Sequence, residues 1–272
     1  MEFKAFKMDG LGNDFLIIDR RKESISIKKD KIIELGQRNS IGFDQLIFID
    51  EINNSAPSYN PITIYNSDGE EVEACGNGSR CVAKILCDQE DKETVIIATS
   101  NRLLKAQKIS ENSIRLKMGR PIFEWKEIPL SKEINNRDIN IKINDLEFKN
   151  GFALNVGNPH IVFFVDNCFQ YDLKKIGPLI ENFKLFPEKI NVTFAQMQDE
   201  SNILVNVWER GAGLTKACGT AACATGVVAF EKNITGKDTN IHFKEGFLNI
   251  KYNEEISMTG PVSDIKEIQI KL

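Results

Sequence analysis

Short apolar or alternating runs punctuate the chain. They fall at residues 15–18, 45–49, 61–65, 95–98, 114–118, 161–164, 203–207 and 241–243. A period of two over four to eight residues predicts strands. Helical spacing is rarer. It predicts helices over 29–37 and 173–181, and one directly after each of Cys75 and Cys218. The last of these, 218–230, carries no charge until Glu231 and is rich in Ala, Gly and Thr. A helix apolar on every side is a buried one, and small residues let strands pack closely around it. The helix after Cys75 differs. Arg80 and Lys84 lie at i and i+4, which predicts that part of it reaches water or a partner. Residues 131–144 are polar and read as an insertion or exposed loop.

The pattern occurs twice. Ala74-Cys75-Gly76 returns as Ala217-Cys218-Gly219. Ten residues before each cysteine stands an aromatic, Tyr65 and Trp208, each closing an alternating run. The next residues, Asn66 and Glu209, are both polar. Gly12-Asn13 precedes Cys75 as Gly157-Asn158 precedes Cys218, with asparagine-to-cysteine separations of 62 and 60. Glycines at 119 and 260 follow the cysteines by 44 and 42 residues. Several landmarks in one order at one spacing predict a duplication. The expected domains are 1–118 and 119–261, with the tail 262–272 returning as a strand to the first. The fold class that follows is α+β. Two pseudo-symmetric domains each wrap a mixed β-sheet or barrel around a central α-helix, with the active site in the cleft between them.

Composition narrows the function. The chain has 272 residues, 42% of them hydrophobic, and a net charge of −4. That balance gives no electrostatic reason to expect nucleic acid or a membrane surface as a partner. The first ten residues carry Glu2, Lys4, Lys7 and Asp9, so they do not read as a secretory signal. No apolar run approaches the roughly 18 residues of a membrane helix. The expectation is a soluble, cytoplasmic protein. Six cysteines, at 75, 81, 87, 168, 218 and 223, show no C-x-x-C spacing, which disfavours zinc and thioredoxin-type sites.

Cys75 and Cys218 stand apart because each begins a helix. The N–H groups and dipole of a helix N-terminus favour a thiolate. Gly76, Asn77, Gly219 and Thr220 fill the first turns, where backbone N–H groups are open to an anion such as a substrate carboxylate. The same groups would stabilise charge spreading from an α-carbon onto that carboxylate. Inversion of a stereocentre needs a base on one face and an acid on the other. A duplicated domain supplies one cysteine for each, one as thiolate and one as thiol. Two other readings stay open at this level: a cysteine-pair racemase of proline or hydroxyproline, and a non-catalytic amino-acid-binding module.

The motifs also carry a family resemblance over essentially the whole chain. They are Met8-Asp9-Gly10-Leu11-Gly12-Asn13-Asp14-Phe15, Ile41-Gly42-Phe43-Asp44-Gln45, Asn66-Ser67-Asp68-Gly69 and Ala74-Cys75-Gly76-Asn77-Gly78-Ser79-Arg80-Cys81. In the second half they are Gly157-Asn158-Pro159-His160, Asn191-Val192, Glu209-Arg210-Gly211-Ala212-Gly213 and Ala217-Cys218-Gly219-Thr220. In this order they resemble the diaminopimelate epimerases and imply the fold of that family. The resemblance implies interconversion of LL- and meso-2,6-diaminopimelate, on the bacterial route to lysine and peptidoglycan. It implies no pyridoxal phosphate, no other cofactor and no metal. It also implies a homodimer, Cys75 and Cys218 as the acid–base pair, and Asn13, Gln45, Asn66, Asn158, Asn191, Glu209 and Arg210 as substrate ligands. Chemically the set suits a double zwitterion. Arg210 offers a fork for the far carboxylate, while Glu209 and amide carbonyls offer acceptors for ammonium. His160 is expected to be structural and His242 incidental.

Overall fold

The computed structural model describes residues 2–52, 59–73 and 75–271, so Ala74 of the first Ala-Cys-Gly lies outside the described residues. The chain forms two compact units, Met1–Lys117 with Thr259–Leu272, and Met118–Met258.

In the first unit β1 (Glu2–Gly10) and β2 (Asn13–Asp19) form a hairpin whose turn residues Leu11 and Gly12 both have positive φ. After α1 (Lys29–Gly36), β3 (Gln45–Ile49) runs parallel to β2. β4 (Asn60–Asn66) returns antiparallel and carries the short β5 (Glu71–Val72). α2 (Gly76–Glu90) follows. Then β6 (Thr94–Ala98) joins β4 in parallel, and β7 (Leu103–Ser110) and β8 (Ser113–Gly119) add an antiparallel meander.

The second unit repeats this order. β9 (Ile139–Ile143) pairs with β10 (Leu146–Asn155), which is antiparallel to β11 (Pro159–Phe164). After α3 (Leu173–Glu181), β12 (Asn191–Asp199) lies parallel to β11 and β13 (Asn202–Glu209) returns antiparallel, carrying β14 (Gly213–Leu214). α4 (Gly219–Glu231) precedes β15 (Asp238–Phe243), which joins β13 in parallel, then β16 (Gly246–Asn253) and β17 (Glu255–Pro261). The last strand, β18 (Lys266–Lys271), pairs antiparallel with β1 of the first unit. The duplication read from the motifs is therefore a duplication of topology, with α2 and α4 in matching places.

Each of these helices packs against strands of its own unit. α2 packs on β1, β2, β3, β6 and β7, and α4 on β10, β11, β12, β15 and β16. Strand alternation supplies both faces. Phe15 and Ile47 meet α2 at Gly78, where an added Cβ would lie 2.5 Å from Ile47 and 3.2 Å from Phe15. On the other face Leu16, Ile18, Leu46 and Phe48 join Ile32 and Leu35 of α1, with Ile270 of β18. The equivalent residues of the second unit, Ile161, Phe163, Val192 and Phe194, pack under Ile176 and Ile180 of α3. Buried helices and strands packed on both faces explain why apolar periodicity was a good guide to the elements.

Two expectations from sequence require correction. Residues 131–144 are not all loop: 139–143 form β9, with Ile139 and Ile141 buried. The alternation of Ile139, Ile141 and Ile143 with Asn140 and Lys142 was masked by the polar composition of its surroundings. Nor does α2 reach water through Arg80 and Lys84, which are both buried. Lys84 Nζ donates to the Glu111 carbonyl and carboxylate, each at 2.6 Å, and lies 3.4 Å from Asp88. Arg80 donates to Asn77 Oδ1 at 2.9 Å. Acceptors brought by the turn between β7 and β8 and by α2 itself take the place of water. Among the described residues no helix is long and apolar enough to cross a membrane.

Candidate active site

In each unit the candidate residues gather at matching strand ends. β2 begins at Asn13. Its parallel neighbour β3 begins at Gln45, and the antiparallel β4 ends at Asn66, the register partner of Gln45. In the second unit Asn158 precedes β11, Asn191 begins β12 and Glu209 ends β13. The N-termini of α2 and α4 follow β5 and β14, so each cysteine comes next in chain order after its strand set.

In the first set Cys75 caps α2 from an extended conformation, and its Sγ accepts the Gly78 N–H at 3.4 Å. Asn13 Nδ2 lies 4.0 Å from the same sulfur. Donors of this kind favour a negatively charged sulfur. Gln45 Nε2 donates to Asn66 Oδ1 at 3.0 Å. That bond leaves Gln45 Oε1 buried and without a hydrogen-bond partner among the described residues. A buried acceptor left open in this way suits a donor brought by a ligand. Gly76 offers backbone at the helix start, whereas the Asn77 side chain is turned to Arg80.

The second set is different. Cys218 also caps its helix, but its side chain makes no capping bond. Sγ lies 3.4 Å from Thr220 Oγ1, and the residue is 5% exposed. Burial pushes the Cys218 thiol well above its ordinary range, and the neighbouring Glu209 carboxylate raises it further. Burial also raises the Glu209 carboxyl, partly offset by the neighbouring Thr215 hydroxyl and Cys218 thiol. The expectation of a lowered cysteine pKa therefore fails here. Desolvation and a like charge outweigh the helix terminus, so this thiol keeps its proton.

Asn158 Oδ1 accepts from His160 Nε2 at 2.9 Å. His160 is fully buried, and burial, then the charge of Arg210, lowers it to about 3. It is a neutral imidazole that fixes Asn158. Asn191 is buried; its Nδ2 donates to the Pro159 carbonyl at 2.7 Å and its Oδ1 accepts the Arg210 N–H at 2.9 Å. The amide thereby holds the backbone of Arg210. The Arg210 guanidinium donates from Nη1 to the Glu188 carbonyl at 3.1 Å and is otherwise exposed. His242, expected to be incidental, bonds Asn202 on the neighbouring strand β13.

Sequence reasoning missed Glu181, at the end of α3. Its buried carboxylate accepts from Trp208 Nε1 at 2.6 Å and from the Gly211 N–H at 3.1 Å. The available signal was spacing: Glu181 follows Gly177 by four, on the apolar side of α3.

The diaminopimelate epimerase family model matches residues 5–124 and 152–265, ranges that include every candidate residue. A diaminopimelate epimerase of Pelagibacter ubique is 50% identical over 277 aligned positions, which cover 100% of both chains. One of Zymomonas mobilis is 41% identical and covers 97% of this chain and 95% of its own. Among solved structures, a probable proline racemase from Agrobacterium radiobacter aligns with a TM-score of 0.70 at 12% identity, covering 99% of this chain and 93% of that one. That last likeness is one of fold.

Proposed function

The chain belongs to the diaminopimelate epimerase family, and from that premise we propose that it interconverts LL- and meso-2,6-diaminopimelate by cofactor-independent proton transfer at one α-carbon. The observation that carries the mechanism is the contrast between two equivalent helix-capping cysteines. Cys75 receives N–H donors, while Cys218 is a buried thiol beside a carboxylate. In the LL-to-meso direction Cys75 acts as the thiolate base and takes the α-proton. Cys218 gives its proton to the opposite face. The roles exchange in the reverse reaction. First-turn N–H groups of Gly76, Asn77, Gly219 and Thr220 receive the α-carboxylate, where negative charge builds in the transition state.

The rest of the set reads the second amino-acid end. Arg210 grips the far carboxylate through the guanidinium N–H groups not spent on Glu188. Asn66 and Asn158 add amide donors, Asn191 aligns Arg210, and Gln45 Oε1 is an acceptor for ammonium, while Glu209, beside the Cys218 thiol, is the acceptor for the ammonium of the reacting end. A proline-type substrate has no second zwitterion to engage this set. Family membership also supports a place in lysine and peptidoglycan synthesis and a cytoplasmic homodimer. The test is to incubate the purified protein with LL-diaminopimelate, L-proline or trans-4-hydroxy-L-proline and separate the stereoisomers chromatographically. Only diaminopimelate should be inverted. Inversion of proline alone would replace the substrate, and inversion of none would reject the reading.

A further inference from the structure

The backbone that carries Glu209 and Arg210 is pinned from outside the candidate ligand set. Glu181 Oε2 takes the Trp208 indole N–H at 2.6 Å, and Oε1 takes the Gly211 N–H at 3.1 Å. One buried carboxylate thus straddles the two residues between them. Asn191 Oδ1 holds the Arg210 N–H and the Glu188 carbonyl holds its guanidinium. Gly211 has φ +75° and Gly213 φ +90°, so the chain turns sharply just past this grip. α3 is packed against the indole at Gly177, where the ring leaves no room for a Cβ. Lys189 Nζ, 3.8 Å from Glu181, adds a positive charge at the edge.

We infer that Glu181 is a positioning residue for substrate recognition: its carboxylate fixes the 208–211 turn so that Arg210 is held in the orientation that receives the far end of diaminopimelate. The inference rests on Arg210 being a substrate ligand. A carboxylate is suited to the task because it offers acceptors on both oxygens. Glutamine of the same shape has one oxygen and one NH₂, so one of the two N–H donors of the turn would face another donor. The turn then loses a tether on one side, and the arginine fork loses its alignment. Such a loss weakens ground-state and transition-state binding alike and appears mainly in KM.

The experiment measures KM and kcat for LL-diaminopimelate in the parent, Glu181→Gln, Arg210→Ala and the double variant, with Trp208→Phe as a second way to break the grip. Glu181→Gln should raise KM about ten-fold with a smaller change in kcat, a size typical of a lost charge-assisted hydrogen bond. Trp208→Phe should raise it less. In the Arg210→Ala background Glu181→Gln should add little, because the residue it aligns is gone. Ile141→Val, a mild core change on β9, controls for lost stability and should leave KM unmoved. An unchanged KM in Glu181→Gln, or an equal KM increase with and without Arg210, would overturn the inference. An inactive parent would instead reject the proposed reaction.

Discussion

Cys75 and Cys218 cap their helices in nearly the same backbone conformation, φ −145°, ψ 112° and φ −130°, ψ 116°. What differs is what reaches the sulfur. Cys75 meets the Gly78 N–H and the Asn13 amide, while at Cys218 burial and Glu209 outweigh Thr220 and the Ala221 N–H. At neutral pH iodoacetamide should therefore label Cys75 first. Glu209→Gln should lower the pH at which Cys218 is labelled without bringing it to an ordinary thiol, because burial is the larger cause. Peptide mapping across a pH series reads both, and unchanged Cys218 labelling in Glu209→Gln would contradict the pairing. Arg210→Lys keeps the charge but loses the planar fork. It should cost at least ten-fold in kcat/KM, a loss of about 1.4 kcal/mol of transition-state binding; an unchanged value would mean Arg210 does not bind the far carboxylate. His160 makes a claim about stability. Its native pKa of about 3 lies below the roughly 6.5 of an unfolded histidine. Between those values the unfolded chain holds a proton that the native one lacks. Its contribution is therefore complete above about pH 6.5 and is lost as pH falls towards 3, by up to about 1.4 kcal/mol per pH unit. Denaturant unfolding of His160→Gln at pH values between about 7 and 4.5 should show a shallower acid loss than the parent. Parallel curves would mean that His160 does not titrate on unfolding.

α4 shows how composition becomes architecture. Its small residues let five strands approach, and at Gly226 an added Cβ would sit 2.7 Å from Ile250 Cγ2 and 3.0 Å from its Cβ. Ile250 is β-branched and buried, so it has little room to yield. Gly226→Ala should destabilise the protein by about 1–3 kcal/mol, as overpacking does, and urea unfolding reads the change. Equal or greater stability would show that the strands packed on α4 can relax. Elements of this kind were legible in the sequence because burial imposes periodicity: α3 occupies the residues expected of it, and β3 and β15 fall within a few residues of expectation. What escaped notice did so for physical reasons. β9 carries its pattern on three isoleucines within a polar stretch. Arg80 and Lys84 looked solvated because the carbonyl and carboxylate of Glu111 that take up Lys84 are brought by tertiary structure, 27 residues away. Glu181 is a lone carboxylate whose partners, on and just past β13, appear only when α3 packs there. The cysteine, Asn66 and Glu209 positions stood out in the sequence because duplication and motif marked them twice, and Arg210 stood out through the motif alone.

At the scale of the whole chain, two copies of one topology supply two capping cysteines, and divergence between the copies gives each sulfur its own chemistry. The C-terminal strand is part of the first copy's sheet, pairing Phe3 with Ile270 and Ala5 with Ile268. Deleting 266–272 should expose an edge of β1 and part of its core, lower the unfolding midpoint and promote aggregation. A midpoint equal to the parent's would show that β18 adds nothing. The central claim is that one sulfur removes the α-proton and the other returns a proton drawn from solvent. Its most direct measurement is epimerisation of LL-diaminopimelate in deuterated water by the parent, Cys75→Ala and Cys218→Ala, read by mass spectrometry and stereoisomer separation. Unfolding curves would establish that the variants are folded. The parent should yield meso product carrying deuterium at the inverted carbon, and neither folded alanine variant should yield meso product. Inversion by the parent without deuterium, or full epimerase activity in either variant, would contradict the account.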